Sequence, residues 1–387
     1  MGNASCVIFV PDDTARTLLP QPLMLTPVAG ASLLWHLSRS LAETGVRRVF
    51  LVCHEEYLAA AAACFPEEIS LTTSSGEAPA DLLHVFLSTD EEEAEDVSVI
   101  TGPGLILPGA QIDDPTHALT IRRSELMQAL DEDVPFDVFL RENGRIANRE
   151  LSLHPVQSAQ ELLSLQRILQ RRHTEQLLRD GVRILEPERC FIAPTARIGR
   201  GTEILPGTMI LSGSVIGEDC RLGPDAHITA CRLGSGCIAA SCTLSDSTLG
   251  AGCSVGPYAV LKESTLGKGC TVGSFAEVER SVLQDGVAVP RLAYLGDARV
   301  GKDAYIGAMS VTANFDRAAT HETVVGDSAF VGAGVQLVAP VQVGDGAYLA
   351  AGSTVTENVP AQALGVARGK QSAKKDWAAK HKLDENT

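Results

Sequence analysis

A six-residue beat constrains this chain more than any other feature. Aliphatic residues return at Ile198, Ile204, Ile210, Ile216, Leu222 and Ile228, and again at Val325, Val331, Leu337, Val343, Leu349 and Val355. Between those runs the phase slips by a residue or two but persists through Leu233, Leu244, Leu249, Val255, Leu261, Leu266, Val272 and Val278, then Val300 and Ile306. Glycine often follows at once, as in Ile216-Gly217, Leu222-Gly223, Val331-Gly332 and Val343-Gly344. This period fits a parallel β-helix, in which each hexad is one short strand plus a turn and three hexads close a triangular coil. The aliphatic is expected to point inward, and the glycine after it to supply the φ > 0 backbone of a tight corner. That role accounts for 26 of the 35 glycines lying from Gly199 onward. Ile192 to Val355 then makes about nine coils of eighteen residues each.

The 387 residues exceed what one ordinary core serves, so a second domain is expected before the repeat. Cys6 to Val10 reads as a strand, Gly30 to Thr44 as a helix, and Val49 to Cys53 and Val97 to Thr101 as further strands. Such alternation predicts an α/β domain with a parallel sheet that binds ligands at the carboxyl ends of its strands. A long helix over 157–180 joins it to the repeat: Ser158 and Glu161 form a capping-box pattern, Leu162, Leu165, Leu169 and Leu177 recur near helical spacing, and Gly181 stands at the C′ position. The boundaries expected are 1–155, 156–181 for the helix, 182–364 for the β-helix and 365–387 for a basic tail.

Charge and composition exclude several classes. A net charge of −16 disfavours nucleic acid. No apolar stretch is long enough for a membrane span and the start MGNASCVIFV lacks a basic n-region, so a cytoplasmic protein is expected. The ten cysteines include no C-x-x-C pair, and their clustering between Cys220 and Cys270 reads as small buried thiols of a repeat, with no metal expected. The acidic run Asp90 to Asp96 reads as a solvated loop.

Specific motifs then narrow the choice. The segments Tyr294-Leu295-Gly296-Asp297, Ile306-Gly307-Ala308, Asn314-Phe315-Asp316, Val331 to Val341 and Ala350 to Thr356 make the chain resemble the bacterial bifunctional family of N-acetylglucosamine-1-phosphate uridylyltransferase and glucosamine-1-phosphate N-acetyltransferase. The resemblance runs from about Val156 to Arg368 and is faint before it. It implies a trimmed nucleotidyltransferase-like domain, a left-handed β-helix and a homotrimer with active sites between neighbouring prisms. It further implies acetyl transfer from acetyl-CoA to an amino sugar.

Under that resemblance Asn314 and Tyr294 position the acceptor and the Ala308 backbone N–H supports an oxyanion. Ala333, Ala351, Arg368 and Lys374 fall where the family holds coenzyme A. The tail cations Arg368, Lys370, Lys374, Lys375, Lys380 and Lys382 would suit its phosphates. Other positions depart from the family. Arg291 stands where the family has its basic His, and a guanidinium cannot act as a base near neutrality. Of two cationic sugar-phosphate contacts, one is Lys262 and the other has become Glu279, which reverses the sign. His227 and His321 read as coil-corner residues, with His321 the stronger substitute base because it lies near Asn314. In the first domain the Gly-rich phosphate loop is replaced by Val10-Pro11-Asp12-Asp13-Thr14-Ala15-Arg16, Pro-Lys by Pro20-Gln21 and Gly-Asp by Gly102-Pro103. Losing loop, cation and metal carboxylate together implies that uridylyl transfer is gone, since phosphoryl chemistry depends on positioning and charge neutralisation. Two functions stay open on the sequence: an acyl-CoA-dependent N-acyltransferase, and a noncatalytic trimer that keeps the β-helix as a binding or regulatory platform.

Overall fold

The computed structural model describes residues 4–75, 80–89, 95–106, 118–132, 134, 136–146 and 153–377. Most of the acidic run, at 90–94, and Lys380 and Lys382 lie outside these residues. The chain forms two compact units that divide within one helix: Met1–Glu175 with Ile192–Thr195, and Gln176–Phe191 with Ala196–Thr387.

In the first unit, strand Ala4–Val10 pairs in parallel with Val46–Cys53 and Asp96–Ile100, and Val46–Cys53 pairs in parallel with Ser70–Ser75. Its side chains alternate: Cys6, Ile8 and Val10 enter one apolar cluster, while Val7 enters the other. A strand buried on both faces is what a β-branched run predicts for a parallel sheet. The sheet is mixed, however, not wholly parallel as expected, because Ala118–Arg122 joins Asp96–Ile100 antiparallel and Arg145–Ile146 follows it antiparallel. The first long helix is Leu33–Glu43, shorter than expected at its start. Residues before it form a hairpin pairing Pro27–Val28 with Ala31–Ser32, and the Ser32 hydroxyl then caps the helix by accepting from the Trp35 N–H at 3.1 Å.

The joining helix runs Ala159–Arg179. The Ser158 hydroxyl accepts from Glu161 N–H at 3.2 Å, Glu161 accepts from Gln157 N–H at 2.7 Å, and Gly181 ends the helix at φ +87. No helix among the described residues is long and apolar enough to cross a membrane.

The second unit is a left-handed β-helix whose three faces are parallel sheets of 11, 10 and 9 strands. It extends beyond the expected nine coils at both ends, from Arg183–Ile184 to Leu364–Gly365 on one face. Most strands are two or three residues with one residue turned inward; Arg221–Leu222 and Thr248–Leu249 are each exposed then buried. Ile204, Ile210, Ile216, Leu222 and Ile228 are all buried, each contributing about 1.5–3 kcal/mol. The ten cysteines are buried free thiols. Four of them stack on one edge, where Cys220, Cys237, Cys253 and Cys270 donate to carbonyls of the following coil at 3.0–3.3 Å. Small size and a weak donor suit that edge.

The glycine expectation holds at Gly223, with φ +93, but needs correcting at the other positions named. Gly217, Gly332 and Gly344, which follow the inward aliphatic, do not have positive φ. A Cβ on Gly332 would lie 2.6 Å from the Ala351 backbone nitrogen, and one on Gly344 would lie 2.3 Å from that of Ala361. These glycines are required by the close approach of the next coil. The left-handed backbone often falls two residues later, as at Gly334 (φ +69).

Candidate functional site

Because coils stack in register, residues one coil apart share a column. On the ten-stranded face Lys262 pairs with Glu279 and Glu279 with Gly296, while Glu277 pairs with Tyr294. Inward neighbours Leu261, Val278 and Leu295 anchor the strands, so Lys262, Glu279 and Tyr294 project outward. The next corner residue of each coil makes a second column. Arg280 binds Asp297 bidentately, Nε to Oδ1 at 2.8 Å and Nη2 to Oδ2 at 3.0 Å. Asn314 Nδ2 donates to the same carboxylate, at the Oδ2 that Arg280 Nη2 also binds.

Glu279 ties the columns together. Its Oε1 accepts from Lys262 Nζ at 3.3 Å and meets Arg280 Nη1 at 2.8 Å, while Oε2 accepts from the Tyr294 hydroxyl at 3.4 Å. Gly296 lies beneath: a Cβ there would stand 2.5 Å from the Tyr294 hydroxyl oxygen and 2.6 Å from Asn314 Nδ2. Thr312 holds that strand, accepting from Gly296 N–H at 2.8 Å and donating to Gly296 carbonyl at 3.0 Å. The hydrogen bonds from Arg280 hold the Asp297 carboxyl below the usual carboxylate range, and the same pairing raises the Arg280 guanidinium; burial pushes the Tyr294 phenol up.

Asn314 begins a short loop. Its carbonyl accepts from the His321 N–H at 2.7 Å, and Phe315 bridges Thr320. His321 Nε2 meets Asp316 Oδ2 at 2.8 Å. Backbone N–H groups of Ala318 and Ala319, together with that imidazole, depress the Asp316 carboxyl. A carboxylate that orients one imidazole nitrogen leaves the other available to take a proton. The structure thus sets His321 in an acid–base pair on a loop, and His227 on the strand His227–Thr229; neither is the simple corner residue expected.

The expected coenzyme residues fall on another edge. Ala308 carbonyl accepts from Gly334 N–H, and Ala333 carbonyl accepts from Gly352 N–H, both at 2.8 Å, so the turns carrying Ala308, Ala333 and Ala351 stack. Arg368 passes this stack, its Cδ 4.0 Å from where a Gly352 Cβ would sit. Lys374 is exposed, and its carbonyl accepts locally from the Trp377 N–H at 3.4 Å. Arg291 lies on the strand Ala288–Arg291 of the neighbouring face, opposite Ser274, exposed and without an ion pair among the described residues.

Sequence reading missed Arg280, Thr312 and the bridging part of Asp297. A signal was present, since Lys262–Glu279, Arg280–Asp297 and Asp297–Asn314 are each separated by 17 residues, one local coil. The expected count of eighteen obscured it.

This fold defines a hexapeptide-repeat β-helix domain. The family described as bacterial transferase hexapeptide (six repeats) matches residues 195–230 and 322–357, and the one described as GlmU-like, C-terminal hexapeptide matches 222–312. The bifunctional protein GlmU of Caldanaerobacter subterraneus subsp. tengcongensis is 39% identical over 235 residues, covering 60% of this chain and 51% of its own. GlmU of Listeria welshimeri serovar 6b is 34% identical over 261 residues, 66% and 54% respectively. Over this region the chain is similar to GlmU proteins, and it spans about half the length of the curated relatives it matches.

Proposed function

We propose that the β-helix is an acyl-CoA-dependent N-acyltransferase acting on an amino sugar, in a cytoplasmic homotrimer that has lost uridylyl transfer. The observation that carries this reading is the cluster around Gly296, where Tyr294, Asn314 and Asp297 converge on a glycine that only a missing side chain permits. In it Tyr294 and Asn314 orient the acceptor, and the stacked turns of Ala308, Ala333 and Ala351 with Arg368 receive acetyl-CoA. Ala308 offers its N–H to the thioester oxygen as it gains charge. His321, oriented by Asp316, is the group best prepared to take the amine proton, since Arg291 cannot. No metal enters this scheme. The exposed Arg291 guanidinium at the family's base position is what favours the second reading, a noncatalytic binding or regulatory trimer.

The homotrimer reading has support in one ridge. Tyr258, Phe275, Leu292 and Met309 are 62%, 60%, 51% and 58% exposed, and all four hold left-handed backbone at successive coil corners, where the two following coils carry Gly334 and Gly352. Large apolar side chains pay twice at such a place, in strain and in exposure, unless another surface covers them. Loss of uridylyl transfer is supported by the chain at Asp12 and Asp13. Asp12, exposed, accepts from Thr14 N–H and hydroxyl at 3.2 and 2.6 Å, and the buried Asp13 accepts from Leu23 N–H at 2.9 Å, so two carboxylates occupy the stretch where the family's phosphate loop would lie.

Calorimetric titration with acetyl-CoA tests the assignment. Saturable binding at one site per chain is expected, weakened about tenfold by Arg368→Ala through one lost charge-assisted contact. Sedimentation should give three chain masses, and UTP with magnesium should give no uridylyl transfer. Absence of heat with millimolar acetyl-CoA would remove the acyltransferase reading.

A further inference from the structure

The anion-binding capacity of the acceptor cluster is already consumed by the protein itself. Lys262 and Arg280 are its two cations, and Glu279 stands between them with one oxygen on both, at 3.3 and 2.8 Å. Arg280 also gives its remaining fork to Asp297. Glu279 is four-fifths buried and takes the Tyr294 hydroxyl on its second oxygen, so it is held from three directions. Summed over these four charged groups the cluster is neutral, and Glu263, 3.9 Å from Lys262 Nζ, adds a further negative charge.

A phosphate monoester needs the donors that Glu279 occupies. Entering there, it would bring about two negative charges against a fixed carboxylate, and like charges at contact distance in a partly buried site disfavour binding strongly. A hydroxyl or other neutral group meets no such opposition, and an ammonium gains from it. We infer that Glu279 is an acceptor-specificity residue, acting as a built-in anion between Lys262 and Arg280, and that the site takes an amino sugar lacking a phosphate there. This rests on the acyltransferase reading for its chemistry, though not for its binding preference.

The test is binding by calorimetry of glucosamine and of glucosamine 1-phosphate to wild-type protein and to Glu279→Gln. Wild type should bind the unphosphorylated sugar at least ~10-fold more tightly, the scale expected when one charge repulsion decides. Glu279→Gln keeps the shape and removes the carboxylate charge facing Lys262 and Nη1 of Arg280, so the ratio should reverse. Equal or tighter binding of glucosamine 1-phosphate by wild type would overturn the inference without needing any variant. An unchanged ratio in a folded Glu279→Gln protein would overturn it too, as would failure of both sugars to bind either protein. Acetyl-CoA titration reads the acyltransferase assignment separately.

Discussion

The two units carry information about structure in different ways. In the β-helix every outward position recurs one coil later, so a residue's neighbours are fixed by counting: Lys262 meets Glu279, and Arg280 meets Asp297, each across 17 residues. In the α/β unit the strand Ala4–Val10 lies between Val46–Cys53 and Asp96–Ile100, partners tens of residues away at unequal distances. A repeat writes its contacts into its period, whereas a sheet assembled from distant strands does not.

Glycine offers the sharpest way to break that comparison. Gly332 lies against the next coil, and a branched side chain there must displace the Ala351 backbone, which the coil beyond holds in place. Gly45, in the α/β unit, has φ +95 and nothing within 4 Å of a Cβ position. Gly332→Val should therefore cost about 3 kcal/mol or more through overpacking, and Gly45→Ala about 1 kcal/mol through backbone conformation alone. Thermal unfolding followed by circular dichroism reads both. Equal small effects would mean that the coils slide freely past each other and that register is not what fixes the site.

The next effect concerns chemistry. If Arg291 and Glu279 are what turn this cluster away from a phosphorylated acceptor, then Arg291→His with Glu279→Lys should raise acetylation of glucosamine 1-phosphate more than either change alone. General-base assistance is typically worth ~10²–10⁴-fold. Thioester consumption measures it. Robust wild-type turnover on that substrate would mean that His321 alone suffices for the proton and that Glu279 does not turn the phosphorylated acceptor away, making both substitutions incidental.

Much of the fold was legible because the hexad pattern reports burial directly: the inward residues are the aliphatics named from the sequence, and the helix caps at Ser158 and Gly181 follow local rules. The misreadings have physical causes. Gly332 was assigned a conformational role because sequence shows the absence of a side chain but not what would strike one. The start of the first helix was misplaced because Pro27 to Ser32 spends its hydrogen bonds in a hairpin, a tertiary choice that helical periodicity does not reveal. In the site, Tyr294, Asn314 and Lys262 do gather, but through Glu279, Arg280 and Asp297, and the resemblance supplied positions without the ion pairs that now connect them. Lys374 is the converse case, a motif position with no described contact to the coenzyme edge.

The smallest effect is a pH dependence. Asp297 is largely buried, hydrogen-bonded by Arg280 and Asn314, and its carboxyl is held below the ordinary value chiefly by Arg280. A group whose folded pKa is depressed binds fewer protons in the folded state, so its stabilisation is present above the unfolded value near 3.9 and is lost as pH falls through the folded one. Asp297→Asn removes the titrating group while preserving its shape. At neutral pH the variant should be less stable by about 2 kcal/mol, the scale of a hydrogen bond to a charged group. Below about pH 4 the gap to wild type should begin to close, and it should close as pH falls through the depressed folded value, where wild type loses the same charge. Asp316 is depressed in the same direction by backbone donors and His321, but it is half exposed, so Asp316→Asn should leave the acid limb of the stability curve nearly unchanged. Urea unfolding from pH 7 to pH 3 distinguishes the two. A gap that stayed constant with pH would mean that Asp297 acts through packing, and that the column joining Arg280 to Asn314 is held by shape, with charge incidental to it.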